Sequence, residues 1–528
     1  MNEIEELKKK LAEFEVECKQ LKTDNKQLKF DKTILEEKVD YLTKKLYGSK
    51  SEKIKKDDTP DLFNEAEKTV TERSDDDKNE DTIIEITYTR KKGKKNRKDG
   101  WDKLPVKENV VDIPEEEKTC ACGKKMMQIG AETSEKLNMI PMQVEIIRTV
   151  RPKYACRCCQ GVESEGIHPA VKIAPVPPSI LPKSIVSASL LAYILINKFC
   201  DALPFYRQEK IFDRLNIVFN RITMCKASVR AYERCGELER LLKRELKNSY
   251  FIGVDETIVQ VLKEPDKPPQ SKSYMWAFRG GTKENPIILF HYDPSRSGKV
   301  PKEYLLGYKG RLQSDGYGGY NWVEFSEDII HYGCWSHSRR KFIEAVEVSK
   351  IKDGVSHQII DLIGILYENE RYAKSMEYSR DEVKNYRQKH SKPILSEIKK
   401  ILLENIGEVA PQTKCGIAIN YTLLQWEKLE RYVDDGLIPI DNNLVENTIR
   451  PFVVGRKNWL FFDSQDGARA SAFFYSLIET AKANKLEPYS YLNYVFEQVP
   501  LCKTESDYEK LLPMFVDRTK IKTYKIPQ

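Results

Sequence analysis

The chain has 528 residues, of which 40% are hydrophobic and 32% charged, and its formal net charge is +7. This length exceeds what one hydrophobic core supports, so we expect several folded units joined by polar segments. No run reaches the ~20 apolar residues that span a bilayer, and the N-terminus lacks the apolar core of a signal peptide. These features predict a cytoplasmic protein without a membrane partner, whose twelve cysteines are reduced thiols or metal ligands.

Residues 1–50 carry a heptad repeat that predicts a coiled coil. Its two sets of core positions are Ile4, Leu11, Cys18, Asn25, Lys32, Val39 and Leu46, and Leu7, Phe14, Leu21, Leu28, Leu35 and Leu42. Leucine in the second set, with a single Asn in the first, is typical of a parallel two-stranded coiled coil. We therefore expect a homodimer or higher oligomer. An amphipathic helix packed on its own protein is the alternative.

Residues 51–100 are highly charged, which predicts a flexible linker. The linker ends in a basic cluster formed by Arg90, Lys91, Lys92, Lys94, Lys95, Arg97 and Lys98. Such a cluster can neutralise several DNA phosphates, and its affinity would then depend on salt but not on base sequence. A solvated linker without DNA contacts is the alternative interpretation.

Two close pairs of cysteines predict a zinc-ribbon-like module over 101–172, with a strand-like region at 144–154 between them. The predicted ligands are Cys120, Cys122, Cys156 and Cys159. Four thiolates suit tetrahedral Zn²⁺ and leave no open coordination position, so this zinc would be structural. The first pair has an unusually short gap, and Cys158 can take the place of Cys159.

After a proline-rich spacer, residues 183–248 predict a helical region that contains two successive helices, 205–215 and 221–235. A helix-turn-helix and an ordinary helical hairpin packed on the core fit this pattern equally well. In a helix-turn-helix, the candidate DNA contacts are Arg221, Lys226, Ser228 and Arg230.

From residue 249 onward, β-rich runs alternate with helical segments, which predicts a mixed sheet flanked by helices. The expected strands are 250–262, 274–278, 287–292, 310–315 and 328–332. Asp255 lies among apolar residues in the first strand, and Asp315 ends the fourth. A buried carboxylate is unfavourable unless it is paired or bound to a cation, so these two acids predict a shared Mg²⁺ site.

A third acid, Glu446, follows the helix-starting sequence Asp441-Asn442-Asn443. This sequence predicts a strong N-cap, with Glu446 in the opening turns and Arg450 one turn later. From this segment alone, Glu446 is a capping acid that pairs with Arg450.

Several motifs together resemble those of the IS66 family of insertion-sequence transposases. They are Val254-Asp-Glu-Thr257, Gln313-Ser-Asp-Gly-Tyr317, Gly333-Cys-Trp-Ser-His-Ser-Arg-Arg-Lys-Phe342, Asp441-Asn-Asn-Leu-Val-Glu446 and Gly455-Arg-Lys-Asn-Trp-Leu-Phe461. The resemblance also covers 46–53, the cysteine cluster and 203–209, so it extends over most of the chain. It implies an RNase H-like catalytic core with a DDE triad at Asp255, Asp315 and Glu446.

The predicted fold is therefore a multidomain α+β protein. Its predicted units are the coiled coil (1–50), the linker (51–100), the zinc-ribbon-like module (101–172), the helical region (183–248), an RNase H-like core in two parts (249–349 and 436–498), an all-helical insertion between these parts (350–435) and a C-terminal tail (499–528).

The resemblance implies DNA cleavage and strand transfer assisted by two Mg²⁺ or Mn²⁺ ions bound to the triad. Cleavage at each transposon end would release a 3′-hydroxyl, which would attack target DNA. Predicted DNA contacts are Arg339, Arg340, Lys341, Arg450, Arg456, Lys457 and Trp459, through phosphate binding and base stacking. Surface ion pairs are the alternative for each basic residue. His337, in a Cys-x-x-His signature, and Asn443 are expected to support the site.

The partners implied are the transposon ends, target DNA and small accessory proteins of the same element, in a bacterial cytoplasm.

Glu256 is expected to point to the opposite sheet face from Asp255 and not to be a principal ligand. The alternative function is a catalytically inactive, zinc-containing DNA-binding regulator derived from a transposase.

Overall fold

The computed structural model describes residues 2–47, 144–155, 171–348 and 354–521. They belong to two units, one with residues 2–47 and 179–521 and the other with 144–155 and 171–178. The basic cluster of the linker and the predicted zinc ligands Cys120, Cys122, Cys156 and Cys159 lie outside the described residues. Within the described ranges, no helix has the length and apolar character needed to cross a membrane.

The smaller unit contains two short antiparallel strands, β1 (Lys153–Ala155) and β2 (Val171–Ile173). The expected strand at 144–154 is therefore wrong except at its last residues. Ile146 and Val150 show the apolar alternation of a strand but are 90% and 74% exposed. Alternation produces a strand only where a partner supplies backbone hydrogen bonds, and β2 offers this to three residues.

A mixed sheet forms the centre of the larger unit, and its five predicted strands are confirmed with small changes in their bounds. They are β3 (Phe251–Lys263), β4 (Lys272–Gly281), β5 (Pro286–Asp293), β6 (Gly310–Gln313) and β7 (Ile329–Tyr332). The order across the sheet is β5-β4-β3-β6-β7, in which β3, β4 and β5 form an antiparallel meander. β6 and β7 run parallel to β3. A further strand, β8 (Phe462–Ser464), was not predicted and pairs with the far end of β3.

The helices surround this sheet. They are α1 (Asn2–Tyr47), α2 (Ala188–Phe199), α3 (Phe205–Arg214), α4 (Arg221–Arg234), α5 (Gly236–Lys247), α6 (Lys299–Tyr304), α7 (Trp335–Val348), α8 (Val355–Ser375), α9 (Arg380–Tyr386), α10 (Lys392–Asn405), α11 (Lys414–Leu424), α12 (Trp426–Glu430), α13 (Asn443–Trp459), α14 (Gln465–Ala483), α15 (Pro488–Gln498) and α16 (Glu505–Glu509).

Helix α14 covers β5 and satisfies the backbone of this edge strand. The amide of Phe290 donates to Ser476 Oγ at 2.7 Å, and the amide of Ile288 donates to Thr480 Oγ1 at 3.0 Å. An uncovered edge strand exposes unpaired backbone groups that can pair with another chain. The hydroxyls of α14 therefore end the sheet at β5.

The two helices predicted at 205–215 and 221–235 are confirmed as α3 and α4. Helix α4 buries Met224, Ala227 and Ala231 and packs on α14. Ser228 was predicted as a DNA contact, but it is buried and its hydroxyl donates to the carbonyl of Met224 at 2.8 Å. That prediction is wrong because Ser228 lies on the packed face of the helix. Arg221 remains exposed at the start of α4.

Helices α7, α8, α10, α11 and α12 share a hydrophobic core with β7, which includes Trp335, Phe342, Ile363, Leu402 and Trp426. A π-helical turn, Arg387–Ser391, joins α9 to α10. Its first residue, Arg387, is 3% exposed, and its guanidinium donates to the carbonyls of Tyr432, Asp435 and Ile438. This arginine thus fixes the segment that leads from the helical region into α13.

The segment after Gln498 was expected to be a tail but is folded through Ile521. Leu512 is fully buried, and Arg244 of α5 forms ion pairs with Glu505 at 2.5 Å and Glu509 at 2.6 Å. Apolar burial and paired charges together hold this segment against α5. The alternation of charged and apolar residues in 499–521 is therefore that of short helices and not of a solvated tail.

Helix α1 is continuous over the predicted coiled-coil segment. Phe14, Leu21, Leu28 and Leu35, all in the second heptad set, are between 57% and 66% exposed. Part of the helix lies beside α7 to α11, where Lys26 pairs with Glu408 at 3.1 Å, and a cavity of about 820 Å³ lies between them. Helix α1 therefore contacts its own chain while these residues of the second heptad set stay exposed. Oligomerisation stays a prediction.

Candidate catalytic centre

Asp255 in β3 and Asp315 just after β6 lie at the same level of the sheet, on neighbouring strands. Strands β3 and β6 are parallel, and Gly253 pairs with Gln313. Each acid lies two residues beyond its member of this pair, so the sheet register places Asp255, within β3, beside Asp315, which follows the C-terminal end of β6. Backbone amides orient them: Glu256 N donates to Asp255 Oδ1 at 2.8 Å, and Tyr317 N donates to Asp315 Oδ1 at 3.0 Å.

Glu446 reaches the same region from the first turn of α13. The side chain of Asn442, which immediately precedes this helix, donates to the carbonyl of Val254 at 3.0 Å. The start of α13 is therefore attached to β3 at the residue before Asp255. Glu446 is only 5% exposed, so it is a buried acid in the opening turn of the helix.

The predicted N-cap is correct in position but not in its contacts. Asn442 makes no capping bond with its side chain: Nδ2 donates to β3, while Oδ1, the atom that would accept a capping bond, has no hydrogen-bond partner among the described residues. The carboxylate of Asp441 instead accepts the backbone amide of Asn443 at 3.1 Å and its side-chain amide at 2.7 Å. Asn443 therefore supports the beginning of the helix through Asp441.

The charges of the three acids act on one another. Burial raises the pKa of Asp255 well above its usual range, and the negative charges of Glu256, Asp315 and Glu446 raise it further. Burial also raises the pKa of Glu446, while the nearby His337 and Arg340 act in the opposite direction. The charged groups with the largest effect on Asp255 are all acids, so this cluster is suited to a divalent cation with oxygen ligands.

Glu256 has protein partners on both of its oxygens. Arg296 pairs with Oε1 at 2.7 Å, and the hydroxyl of Tyr320 donates to Oε2 at 2.6 Å. Its side chain is 2% exposed and that of Arg296 is 43% exposed, so the acid is buried while its cationic partner reaches the surface. Sequence reasoning did not identify Arg296 or Tyr320, because they lie 40 and 64 residues from Glu256 and only the fold brings them together.

The predicted DNA contacts fall into two groups. Arg340, Lys341, Arg450 and Lys457 are exposed or half-buried, and Lys341 lies over the ring of Tyr421 at 4.6 Å. They lie on α7 and α13, the helices that flank the acids.

The other three predicted contacts are engaged inside the protein. Arg339 is 3% exposed, and the guanidinium of Arg456 donates to Thr257 Oγ1 at 3.0 Å and to the carbonyl of Ile258. Trp459 is 9% exposed and packs against Phe462, with ring centroids 4.4 Å apart. Base stacking by Trp459 and phosphate binding by Arg339 are therefore corrected to burial within the protein, and the half-buried Arg456 is hydrogen-bonded to β3.

His337 lies beside Glu446, with 3.7 Å between its Nδ1 and Glu446 Oε1. The thiol of Cys334 lies in the same group and accepts the backbone amide of Asn442 at 3.2 Å. Cys334 was not among the predicted site residues. Its spacing of three from His337 at the start of a helix was a signal for it, since residues three apart share a helix face.

Comparison with known proteins decides the family. Residues 183–470 match the model described as Transposase IS66 family, 476–514 match the IS66 C-terminal element, and 117–160 match the zinc-finger binding domain of transposase IS66. The chain belongs to the IS66 transposase family. The zinc-finger match includes Cys120, Cys122, Cys156 and Cys159, which indicates zinc and DNA binding in this family member.

Relatives of similar length occur in Sinorhizobium fredii (strain NBRC 101917 / NGR234). The uncharacterized protein y4qI is 30% identical over 77% of this IS66 chain and 75% of its own length. The uncharacterized protein y4jD is 29% identical over 77% of this chain and 79% of its own length. These similarities cover most of each chain and therefore extend well beyond single motifs.

Proposed function

We propose that this IS66 family member is a DDE transposase that cleaves transposon ends and joins them to target DNA, with Asp255, Asp315 and Glu446 as its catalytic acids. The observation that carries the proposal is the convergence of buried Glu446 with half-buried Asp255 and Asp315 in one cluster of mutually repelling acids. Maintaining such a cluster is unfavourable without a cation. The order β5-β4-β3-β6-β7, with its antiparallel meander and two parallel strands, supports an RNase H-like core.

In this proposal the three carboxylates hold two Mg²⁺ or Mn²⁺ ions. When bound, such ions supply Lewis-acid activation for an in-line attack on a phosphodiester. Asn442 fixes the helix of Glu446 to the strand of Asp255. Glu256 adds negative charge near Asp255, but Arg296 and Tyr320 occupy its two oxygens, so it is not among the proposed ligands.

The DNA would approach across α7 and α13. Arg340, Lys341, Arg450 and Lys457 are the candidate phosphate contacts, and they would position the strand without reading its sequence. Residues 354–435 would form the helical insertion in the core. One structural zinc would be held by Cys120, Cys122, Cys156 and either Cys158 or Cys159. Accessory proteins of the element remain proposed partners.

The test is cleavage of labelled transposon-end DNA in Mg²⁺ by the wild type and by Asp255→Asn, Asp315→Asn and Glu446→Gln. We expect each variant to lose cleavage by at least ~100-fold and to retain end binding in a mobility-shift assay. Glu479→Gln is the matched control, because Glu479 is a buried acid that pairs with Lys482 at 2.8 Å on α14. Full cleavage by any triad variant would refute its assignment. Binding without cleavage by the wild type would favour an inactive DNA-binding regulator.

A further inference from the structure

Cys334, His337 and Glu446 form a compact group of three potential metal ligands beside the acidic cluster. One ligand atom from each, a thiol sulfur, an imidazole nitrogen and a carboxylate oxygen, lies within 4.8 Å of the others. Cys334 and Glu446 are buried, at 2% and 5% exposure, and the side chain of His337 is 23% exposed. The fold brings these residues together from the start of α7 and the first turn of α13.

Two of the three ligand atoms have unmet bonding capacity. His337 Nδ1 and Glu446 Oε1 are both buried and have no hydrogen-bond partner among the described residues. Their separation of 3.7 Å is too long for a hydrogen bond. An unpartnered buried carboxylate oxygen is unfavourable, so this arrangement is suited to a bound cation.

The surroundings of the sulfur also suit a metal ligand. The backbone amide of Asn442 donates to Cys334 Sγ at 3.2 Å, and the hydroxyl of Ser336 lies 3.0 Å from the same atom. Hydrogen bonds to a ligating atom orient it and stabilise its charged form, as the groups around metal sites commonly do. Asn442 therefore contacts both the strand of Asp255 and the sulfur of this group.

We propose that Cys334, His337 and Glu446 bind a thiophilic divalent cation, with Zn²⁺ as the ion best matched to a sulfur, nitrogen and oxygen donor set. Binding would displace the proton of the Cys334 thiol. Three protein ligands leave the fourth tetrahedral position open to water or to an oxygen of a ligand. This site is distinct from the predicted four-cysteine zinc site, and it shares only Glu446 with the proposed catalytic acids.

Zinc counting by native mass spectrometry on the full-length protein tests this proposal without DNA or Mg²⁺. Cys334→Ser and His337→Ala should each contain one zinc ion fewer per chain than the wild type. Cys156→Ser should also lose one zinc ion, from the four-cysteine site, and Cys334→Ser combined with Cys156→Ser should lose both. Cys200→Ser is the matched control, because Cys200 is a half-buried free cysteine in α2's C-terminal turn, and it should retain the wild-type content.

His337→Ala protects the test against misfolding of the Cys334 variant, since the His337 side chain reaches the surface. Wild-type zinc content in both Cys334→Ser and His337→Ala would overturn the proposal, as would an equal loss in Cys200→Ser. A Cys156→Ser variant that contains no zinc at all would overturn it as well. None of these outcomes depends on strand cleavage, so failure here is distinguishable from failure of the proposed transposase activity.

Discussion

Gly253 of β3 and Val445 of α13 are packed so closely that a side chain at Gly253 has no room. A Cβ atom there would overlap Val445 Cγ2 and lie 2.8 Å from Asn442 Oδ1. The absence of a side chain at Gly253 lets the Glu446 helix sit directly on the strand that carries Asp255. The distance between two of the three proposed catalytic acids is therefore set by a glycine that touches neither of them.

Gly253→Ala should push the start of α13 away from β3. We expect a loss of about 1–3 kcal/mol in the free energy of unfolding, as is usual for overpacking, together with reduced cleavage of transposon-end DNA. Adding Val445→Ala should restore part of both losses, because it removes the methyl group that the new Cβ meets. Urea denaturation and the cleavage assay measure the two effects.

Gly364→Ala is the control for this prediction. Gly364 lies in α8, and a Cβ added there would meet nothing within 4 Å. Alanine favours a helix by roughly 1 kcal/mol over glycine, so this variant should be as stable as the wild type or slightly more so. Equal stability of Gly253→Ala and Gly364→Ala would show that the contact with Val445 does not position α13.

The raised pKa of Asp255 predicts a stability that falls as pH rises in the absence of divalent cations. Burial, followed by the charges of Glu256, Asp315 and Glu446, raises the pKa of this carboxyl in the folded protein. Between its unfolded and folded pKa values the folded state binds more protons, so deprotonation favours unfolding across that interval. Asp255→Asn should therefore have the higher Tm at neutral pH, and the two proteins should converge in acid.

Divalent cations should reverse this order. Added Mg²⁺ should raise the Tm of the wild type more than that of Asp255→Asn, because binding to the folded state alone stabilises it. Asp328→Asn serves as the surface control, since Asp328 is 55% exposed and pairs with Lys309. Thermal melts with and without Mg²⁺ provide the measurement. The same Mg²⁺-induced shift in wild type and Asp255→Asn would argue against Asp255 as a ligand.

Local patterns were sufficient to predict strands β3 to β7 of the larger unit, but not β8, and its helices α1, α3, α4 and α13. Asp255 and Asp315 were also predictable as a pair, because each acid interrupts or ends an apolar run. Glu446 was different: its own segment indicates a capping acid, and only its place in a series of family motifs suggested catalysis. The start of its helix is attached to β3 through Asn442, which bonds to Val254, 188 residues earlier in the chain.

The errors share a physical cause. Trp459, Arg339 and Arg456 were predicted to contact DNA because basic and aromatic residues alternate in their segments. Sequence spacing does not show which side of a helix meets the core, and the fold places Trp459 among Phe452 and Phe462 and turns Arg456 toward β3. The partners of Glu256 were missed for a related reason, since pairing across elements leaves no local pattern.

The exposed seam of α1 predicts that the full-length protein self-associates. Leu28 and Leu35 are 66% and 60% exposed, at adjacent positions of one heptad set. A leucine buried in a dimer contributes about 1.5–3 kcal/mol, so Leu28→Glu should weaken association at least ~10-fold. Val16→Glu is the matched control, because Val16 is equally exposed, at 68%, but lies outside both heptad sets. Sedimentation equilibrium measures both variants. Equal effects of Leu28→Glu and Val16→Glu, or a monomeric wild type, would contradict the coiled coil and leave α1 as a helix that packs only on its own chain.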